Sequence, residues 1–226
     1  MEKMNLDKHG NPYVDFVVDY ETLANKPDSI LLDGSVIPFV DDPHNPPTFM
    51  ELVESGFTVK FDRNQEGRVK DPGTIKWWAS QPEEAKQIVR KSDKDVDLYV
   101  GHRQMIDFIK DSGVNFYKSN GWCRGNSFDF PIMVDVIRKC NNTIETTDLE
   151  PIFWGKHRDI RTAIEENLGR GVTMTPLRKG ILDGFIPHNS LHDCAKDILS
   201  LLYARRYAWG LEDMPEGDDI DPKTIK

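Results

Sequence analysis

Val14-Asp15-Phe16-Val17-Val18-Asp19-Tyr20-Glu21-Thr22 is the stretch on which the reading of the fold turns. Val14 to Val18 is a short apolar run of the kind that forms a buried central strand, and it ends in Asp19. Asp19 and Glu21 stand at i and i+2, so the two-residue period of a strand places both carboxylates on one face at its end. Two acids side by side repel unless a cation lies between them. A polar cap on a strand end is the bland alternative, but Asp is disfavoured in strands, which favours a metal site.

Working outward, Ile30 to Val40 gives a second strand region, broken by Asp33-Gly34 and followed by a Pro-rich loop from Asp42 to Pro47. Phe57, Val59 and Phe61 alternate with polar residues as a third strand, and the short connections favour antiparallel pairing. Pro82 to Lys91 has the charge polarity of a helix. Val114 to Tyr117 and Gly121 to Cys123 look like strand or strand edge. Asp129 to Cys140 places Ile132, Met133, Val136, Ile137 and Cys140 on one helical face. Asp159 to Leu168 does the same with Ile160, Ala163, Ile164 and Leu168. A long helix runs from after Pro187 to about Trp209, with Leu191, Ala195, Ile198 and Leu202 as its stripe. The pattern is that of one α/β domain over residues 1–209, followed by an acidic, mobile tail over 210–226.

A chain of 226 residues is long enough to bury a proper core without disulfides or structural metals. Charged residues make up 30% and hydrophobic ones 38%, at a mean hydropathy of −0.55, which excludes a membrane protein and a disordered chain. No stretch approaches the roughly 20 apolar residues of a membrane span, and Met1 to Asn11 carries no signal-peptide core. Cys123, Cys140 and Cys194 form no CxxC pair and read as reduced thiols of a cytosol-like compartment. The expectation is a soluble cytoplasmic protein with no obligate protein partner. The net charge of −9 argues at first against a polyanionic partner. From Gly210 onward, however, six acids face only Lys223 and Lys226, and divalent cations held by body carboxylates would offset much of the rest. A nucleic-acid enzyme is therefore admissible, and a non-specific duplex coater is not.

There is no GxxxxGK[ST] or GxGxxG phosphate loop, no GxSxG elbow, and no HExxH or CxxC frame for zinc. Carboxylates at telling places remain. Asp129 follows Gly125-Asn126-Ser127-Phe128 at the mouth of an amphipathic helix, where Asn, Ser and Asp are also ordinary caps. In Pro187-His188-Asn189-Ser190-Leu191-His192-Asp193-Cys194-Ala195-Lys196-Asp197, a His precedes an Asp by five residues twice: His188 with Asp193, and His192 with Asp197. Helical phase does not choose between Asp193 and Asp197, which share one polar face. The position of the first pair at the open end of the helix favours it.

Asp, Glu, Asp and Asp in this order, with a His just before the last Asp, resembles the DEDDh family of 3′→5′ exonucleases. Val18-Asp19-Tyr20-Glu21-Thr22 resembles its first motif, Asn126-Ser127-Phe128-Asp129 its second, and His188 to Asp193 its third. Thr74 to Trp78, Gly121 to Gly125, Arg158 to Thr162, Leu182 to Phe185 and Cys194 to Leu199 narrow the resemblance to phage-encoded exodeoxyribonucleases. It implies a ribonuclease H-like fold, a central mixed β-sheet flanked by helices. It also implies hydrolysis of single-stranded DNA from the 3′ end to 5′-mononucleotides, and a host-cell cytoplasmic location. The register becomes His188 with Asp193.

The chemistry such a site needs is two divalent ions, Mg²⁺ or Mn²⁺, about 3.5–4 Å apart. On this reading Asp19 bridges both, Glu21 and Asp193 hold the ion that activates water, and Asp129 serves the second. His188 accepts the proton of the attacking water. Among candidate substrate contacts are Tyr20, Trp77, Arg124, Asn126 and Arg161. Of the adjacent Trp77 and Trp78, one belongs to the core and at most one is free to stack on a base. Tyr20, lying between the two acids, also has a core reading. A 3′→5′ exoribonuclease using the same site, and a non-catalytic nucleic-acid-binding module, are the alternatives.

Overall fold

The computed structural model describes residues 6–224. The first residues of the N-terminal extension before Val14, and Ile225 and Lys226 of the acidic segment, lie outside the described residues. Five strands form one mixed sheet in the order β3-β2-β1-β4-β5. β1 (Val14–Thr22) is its centre. It pairs antiparallel with β2 (Leu31–Val40), which pairs antiparallel with β3 (Phe57–Lys60). On its other side β1 runs parallel to the three-residue β4 (Gly121–Cys123), and β4 runs parallel to β5 (His157–Asp159).

Alternation along β1 sorts its side chains into two cores. Val17 packs with α1 (Phe49–Ser55), α5 (Ile160–Leu168) and α6 (Ser190–Ala208). Phe16, Val18 and Tyr20 pack on the opposite face with α3 (Leu98–Asp111) and α4 (Asp129–Asn141). A smaller cluster joins Trp78 of α2 (Pro72–Ala79) to Leu23, just past β1, Leu32 at the start of β2, and Ala85. Central β1 is thus covered on both sides, which its near-continuous apolar run requires.

Several expectations change. β2 is not broken at Asp33-Gly34: Gly34 pairs with Tyr20, and a Cβ there would lie 2.7 Å from the Tyr20 ring, so the glycine serves close packing within a continuous strand. The helix expected over Pro82–Lys91 shortens to a 3₁₀ turn at Ala85–Val89. Cys140 lies on the exposed side of α4, while Ile132, Met133, Val136 and Ile137 are buried as expected. Helix α3 is not signalled by sequence periodicity, because Gly101 and His102 interrupt its buried face. The acidic segment after Gly210, expected to be mobile, is placed against the body through backbone bonds such as Asp221 N–H to the Leu177 carbonyl. Among the described residues, no helix is long and apolar enough to cross a membrane.

Candidate active site

Three elements position the acids. β1 delivers Asp19 and Glu21 at its C-terminal end, on the face that α6 covers. The start of α6 is fixed from several directions. Its Asn189 cap accepts the His192 N–H, Ser190 Oγ lies 2.6 Å from Ser35 Oγ of β2, and the Cys194 thiol points at the Val17 and Ser35 carbonyls. Asp193 is thereby set over the end of β1. Asp129 opens α4 from the other side of the sheet. It does not cap that helix, whose N-cap is Phe128 with no side-chain bond. Its carboxylate turns inward, 2% exposed, and accepts the Tyr20 N–H at 3.2 Å.

The result is a cavity of about 400 Å³ lined by Asp19, Glu21, Arg124, Arg161, His188 and Asp193, with Lys196, Asp197 and Thr224 among its remaining walls. Glu21, His188 and Asp193 each offer a ligand atom within 4.8 Å of the others. Asp129 is not part of the lining, but its charge raises the Asp19 carboxyl. Burial, then Asp129, Glu21, Asp193 and Asp197, push Asp19 well above the usual carboxylate range. Burial, then Asp33 and Asp193, do the same to Glu21. Burial and then Asp197 raise Asp193, with Lys196, the His188 N–H and Arg124 opposing. Carboxylates gathered in this way are uncomfortable as anions until cations join them. The donor set suits a metal: carboxylate oxygens of the kind hard divalent ions prefer, with one imidazole beside them.

His188 sits at φ +59°, a left-handed backbone that few non-glycine residues adopt. Its ring meets Trp77 edge to face at 4.8 Å. His192 faces elsewhere: its Nδ1 accepts the Ile186 N–H at 3.0 Å and its ring abuts Phe49. The first His–Asp pair is therefore the one gathered at the cavity. Asp197, set aside from the sequence, is a cavity wall whose buried carboxylate pairs with Arg124 Nε at 2.6 Å.

The expected substrate contacts divide. Trp77 is 41% exposed beside a groove shared with Glu21 and Thr22, whereas Trp78 is 2% exposed and donates its indole N–H to the Thr22 carbonyl. Arg161 is exposed at the cavity. Arg124 lines it too, but Asp197 and the Thr173 carbonyl already occupy its guanidinium. Tyr20 as a side-chain contact is corrected: its ring is buried and its hydroxyl lies 2.9 Å from His102 Nε2, because the residue between two inward-facing strand positions points to the other core. Asn126 lies apart from the acids, on a separate cleft of about 760 Å³ with Phe130 and Trp154, its N–H held by Asp159. Arg158 is bound to the Gly155 and His157 carbonyls. Sequence reasoning missed Asp33 and Lys196. The Asp33-Gly34 pair has the look of a strand break, yet Asp33 is buried opposite Glu21, and burial pushes its carboxyl up to about 7.

Comparison with known proteins agrees with this architecture. The chain is 44% identical over 221 residues to an exodeoxyribonuclease of enterobacteria phage T4, covering 93% of this chain and 97% of the relative. Among solved structures, E. coli exonuclease I in complex with a dA16 oligonucleotide matches with a TM-score of 0.53 at 12% identity, over 88% of this chain and 43% of that one. The zinc-ion-bound form of the E. coli exonuclease I complex with single-stranded DNA matches with a TM-score of 0.52 at 14% identity, over 89% and 42%. Cell-death related nuclease 4 matches with a TM-score of 0.53 at 12% identity, over 92% and 67%. This chain spans less than half the length of the exonuclease I chains, and the shared part is the mixed-sheet, ribonuclease H-like fold. Residues 14–202 match the family described as the 3′-5′ exoribonuclease Rv2179c-like domain. With β1, β4, β5 and the acids at the sheet's end all inside that span, the chain belongs to this family and is an exonuclease.

Proposed function

We propose that the enzyme shortens single-stranded DNA from its 3′ end, releasing 5′-mononucleotides, with two divalent ions, Mg²⁺ or Mn²⁺, in the carboxylate cavity. The observation that carries this reading is the convergence of Glu21, His188 and Asp193 within 4.8 Å, beside Asp19 and Asp129. Asp19 would be shared between the ions, Glu21 and Asp193 would hold one, and Asp129 would serve the other. Bound there, the ions make water acidic and offset the negative charge that develops on the phosphodiester and its leaving oxygen.

The chain's own groups supply the rest. His188 takes the proton of the attacking water on its imidazole. Burial and the nearby Lys196 lower its pKa, so the ring is neutral and able to accept. Its left-handed backbone lets its N–H face Asp193, which ties the base to a metal-holding acid. Trp77 offers an exposed ring next to that base for stacking on a terminal nucleotide, worth about 1–3 kcal/mol per base without sequence preference. Arg161 is placed to meet a phosphate oxygen.

DNA is favoured because the 44% identical relative is named an exodeoxyribonuclease. A second reading, an exoribonuclease using the same site, is favoured by the description of the family itself, and contacts to the 2′-hydroxyl would decide between them. The test is degradation of 5′-labelled single-stranded DNA and RNA oligomers side by side in Mg²⁺, with EDTA controls. A descending DNA ladder that EDTA stops, with RNA intact, is the expected result. Preferential shortening of RNA moves the substrate to the second reading. Binding without cleavage of either overturns the enzymatic reading.

A further inference from the structure

Residues 211–224 lie beyond the span matched by the family, yet they reach the carboxylate cavity. Arg178 holds the start of this segment, meeting Glu212 at 3.1 Å and the Asp213 carbonyl at 2.9 Å. Two backbone bonds continue the attachment, Lys179 N–H to the Asp219 carbonyl and Asp221 N–H to the Leu177 carbonyl. Thr224, 1% exposed, then forms part of the cavity wall. Beside it, the Lys223 carbonyl accepts a hydrogen bond from Lys196 Nζ at 2.8 Å, and the Lys196 ammonium lies 5.0 Å from the Phe185 ring centroid. Lys196 is itself a wall of the cavity, one turn along α6 from His192 and three residues after Asp193. Arg124, the neighbouring cation, is already committed to Asp197.

We infer that residues 211–224 form a strap that completes the cavity and holds Lys196 as a contact for a backbone phosphate of the substrate strand. The inference rests on the proposed nuclease function for the nature of the ligand. The strap is a positioning element: it fixes one donor direction of the ammonium through a carbonyl and leaves the other two for phosphate oxygens.

Charge alone makes the opposite forecast, which sharpens the test. The segment from Gly210 carries six acids against two lysines, so removing it should tighten binding of a polyanion by simple electrostatics. The strap requires it to weaken. Wild type, Lys196→Met, Arg178→Met and a chain ending at Gly210 are compared for binding of a 5′-fluorescein single-stranded DNA oligomer in EDTA across a salt series, and for turnover of that oligomer in Mg²⁺. Lys196→Met should weaken binding about tenfold, the lower end for a hydrogen bond to a charged group. It should also flatten the slope of log K against log salt by about 0.7, one phosphate contact on a single strand. Arg178→Met and the shortened chain should weaken binding too, and adding Lys196→Met to the shortened chain should cost little more. Thermal melting checks folding; if the shortened chain is unfolded, Arg178→Met decides. Tighter binding by the strap variants, an unchanged salt slope in Lys196→Met, or additive losses would overturn the inference. Absence of turnover in wild type would overturn the functional reading instead, and the binding measurements would still decide the strap.

Discussion

The two ends of β1 hold acids in opposite conditions. At the N-terminal end, Asp15 is 3% exposed and fully partnered: it accepts the Asn120 N–H at 2.7 Å, the Asn120 side-chain amide at 3.1 Å and the Trp122 indole N–H at 2.9 Å. Those donors counter the rise that burial imposes on its carboxyl. At the C-terminal end, on the same face and about 14 Å along the strand from Asp15 to Asp19 at about 3.4 Å per residue, Asp19 and Glu21 meet other carboxylates rather than donors. One strand therefore carries a finished structural joint at one end and an unfinished anionic pocket at the other. What separates them is above all the neighbour each acid is given, with Asp15 sealed and Asp19 and Glu21 half-buried at the cavity.

Four experiments break or sharpen that contrast. Asp193→Ala should reduce turnover by at least about 10³-fold, the scale of losing a preorganised electrostatic group, while its melting temperature without metal stays level or rises because a repulsion is gone. Kinetics and melting on one sample check both halves, and wild-type turnover would end the assignment. His188→Ala should lose about 10²-fold in kcat, within the range for a general base, whereas His192→Ala should lose stability and keep its chemistry, since its ring serves Ile186 and Phe49. Asp15→Ala should invert the first pattern, costing about 1–3 kcal/mol of stability by stranding its donors and leaving kcat near wild type; denaturant titration beside a rate measurement reads it.

The smallest effect concerns pH. Carboxyls whose folded pKa is raised stabilise the fold fully below their unfolded value, and that stabilisation is lost as pH rises through the folded value. Asp33, at about 7 against a usual 3.8, sets the window, and Asp19, Glu21 and Asp193 act in the same direction. Buried His102 and His157, lowered to about 3 and about 4, oppose this fall below their ordinary value of 6.5, so in EDTA the melting temperature should fall between pH 6.5 and pH 8 on the order of a few degrees. Saturating Mg²⁺ should flatten the fall. A flat profile in EDTA would show that the acids are not strained by one another.

How much of this was legible in the sequence depends on the range of the interactions. β1, α4 and α6 announce themselves through local periodicity, and the Asp19-x-Glu21 and His188–Asp193 spacings lie on single elements, so their placement follows from strand and helix geometry. Asp197 was opaque because its partner, Arg124, is 73 residues away and no local pattern links them. Asp33 was opaque because a polar residue before a glycine signals a turn, and only the Tyr20 ring packed on Gly34 explains a strand there. The segment after Gly210 has the composition of a solvated tail; what anchors it is backbone hydrogen bonding and the distant Arg178, to which composition is blind.

The three cysteines carry a practical corollary. Cys123 and Cys194 are sealed in the two cores, and Cys140 alone stands open at the end of α4. A thiol-reactive dye should thus label the native enzyme once and the unfolded chain three times, which makes the dye-to-protein ratio a direct count of intact molecules. The same asymmetry gives a single attachment point for a fluorophore or a surface tether on the helix whose opposite end carries Asp129, so that an immobilised enzyme would present its chemistry away from the support.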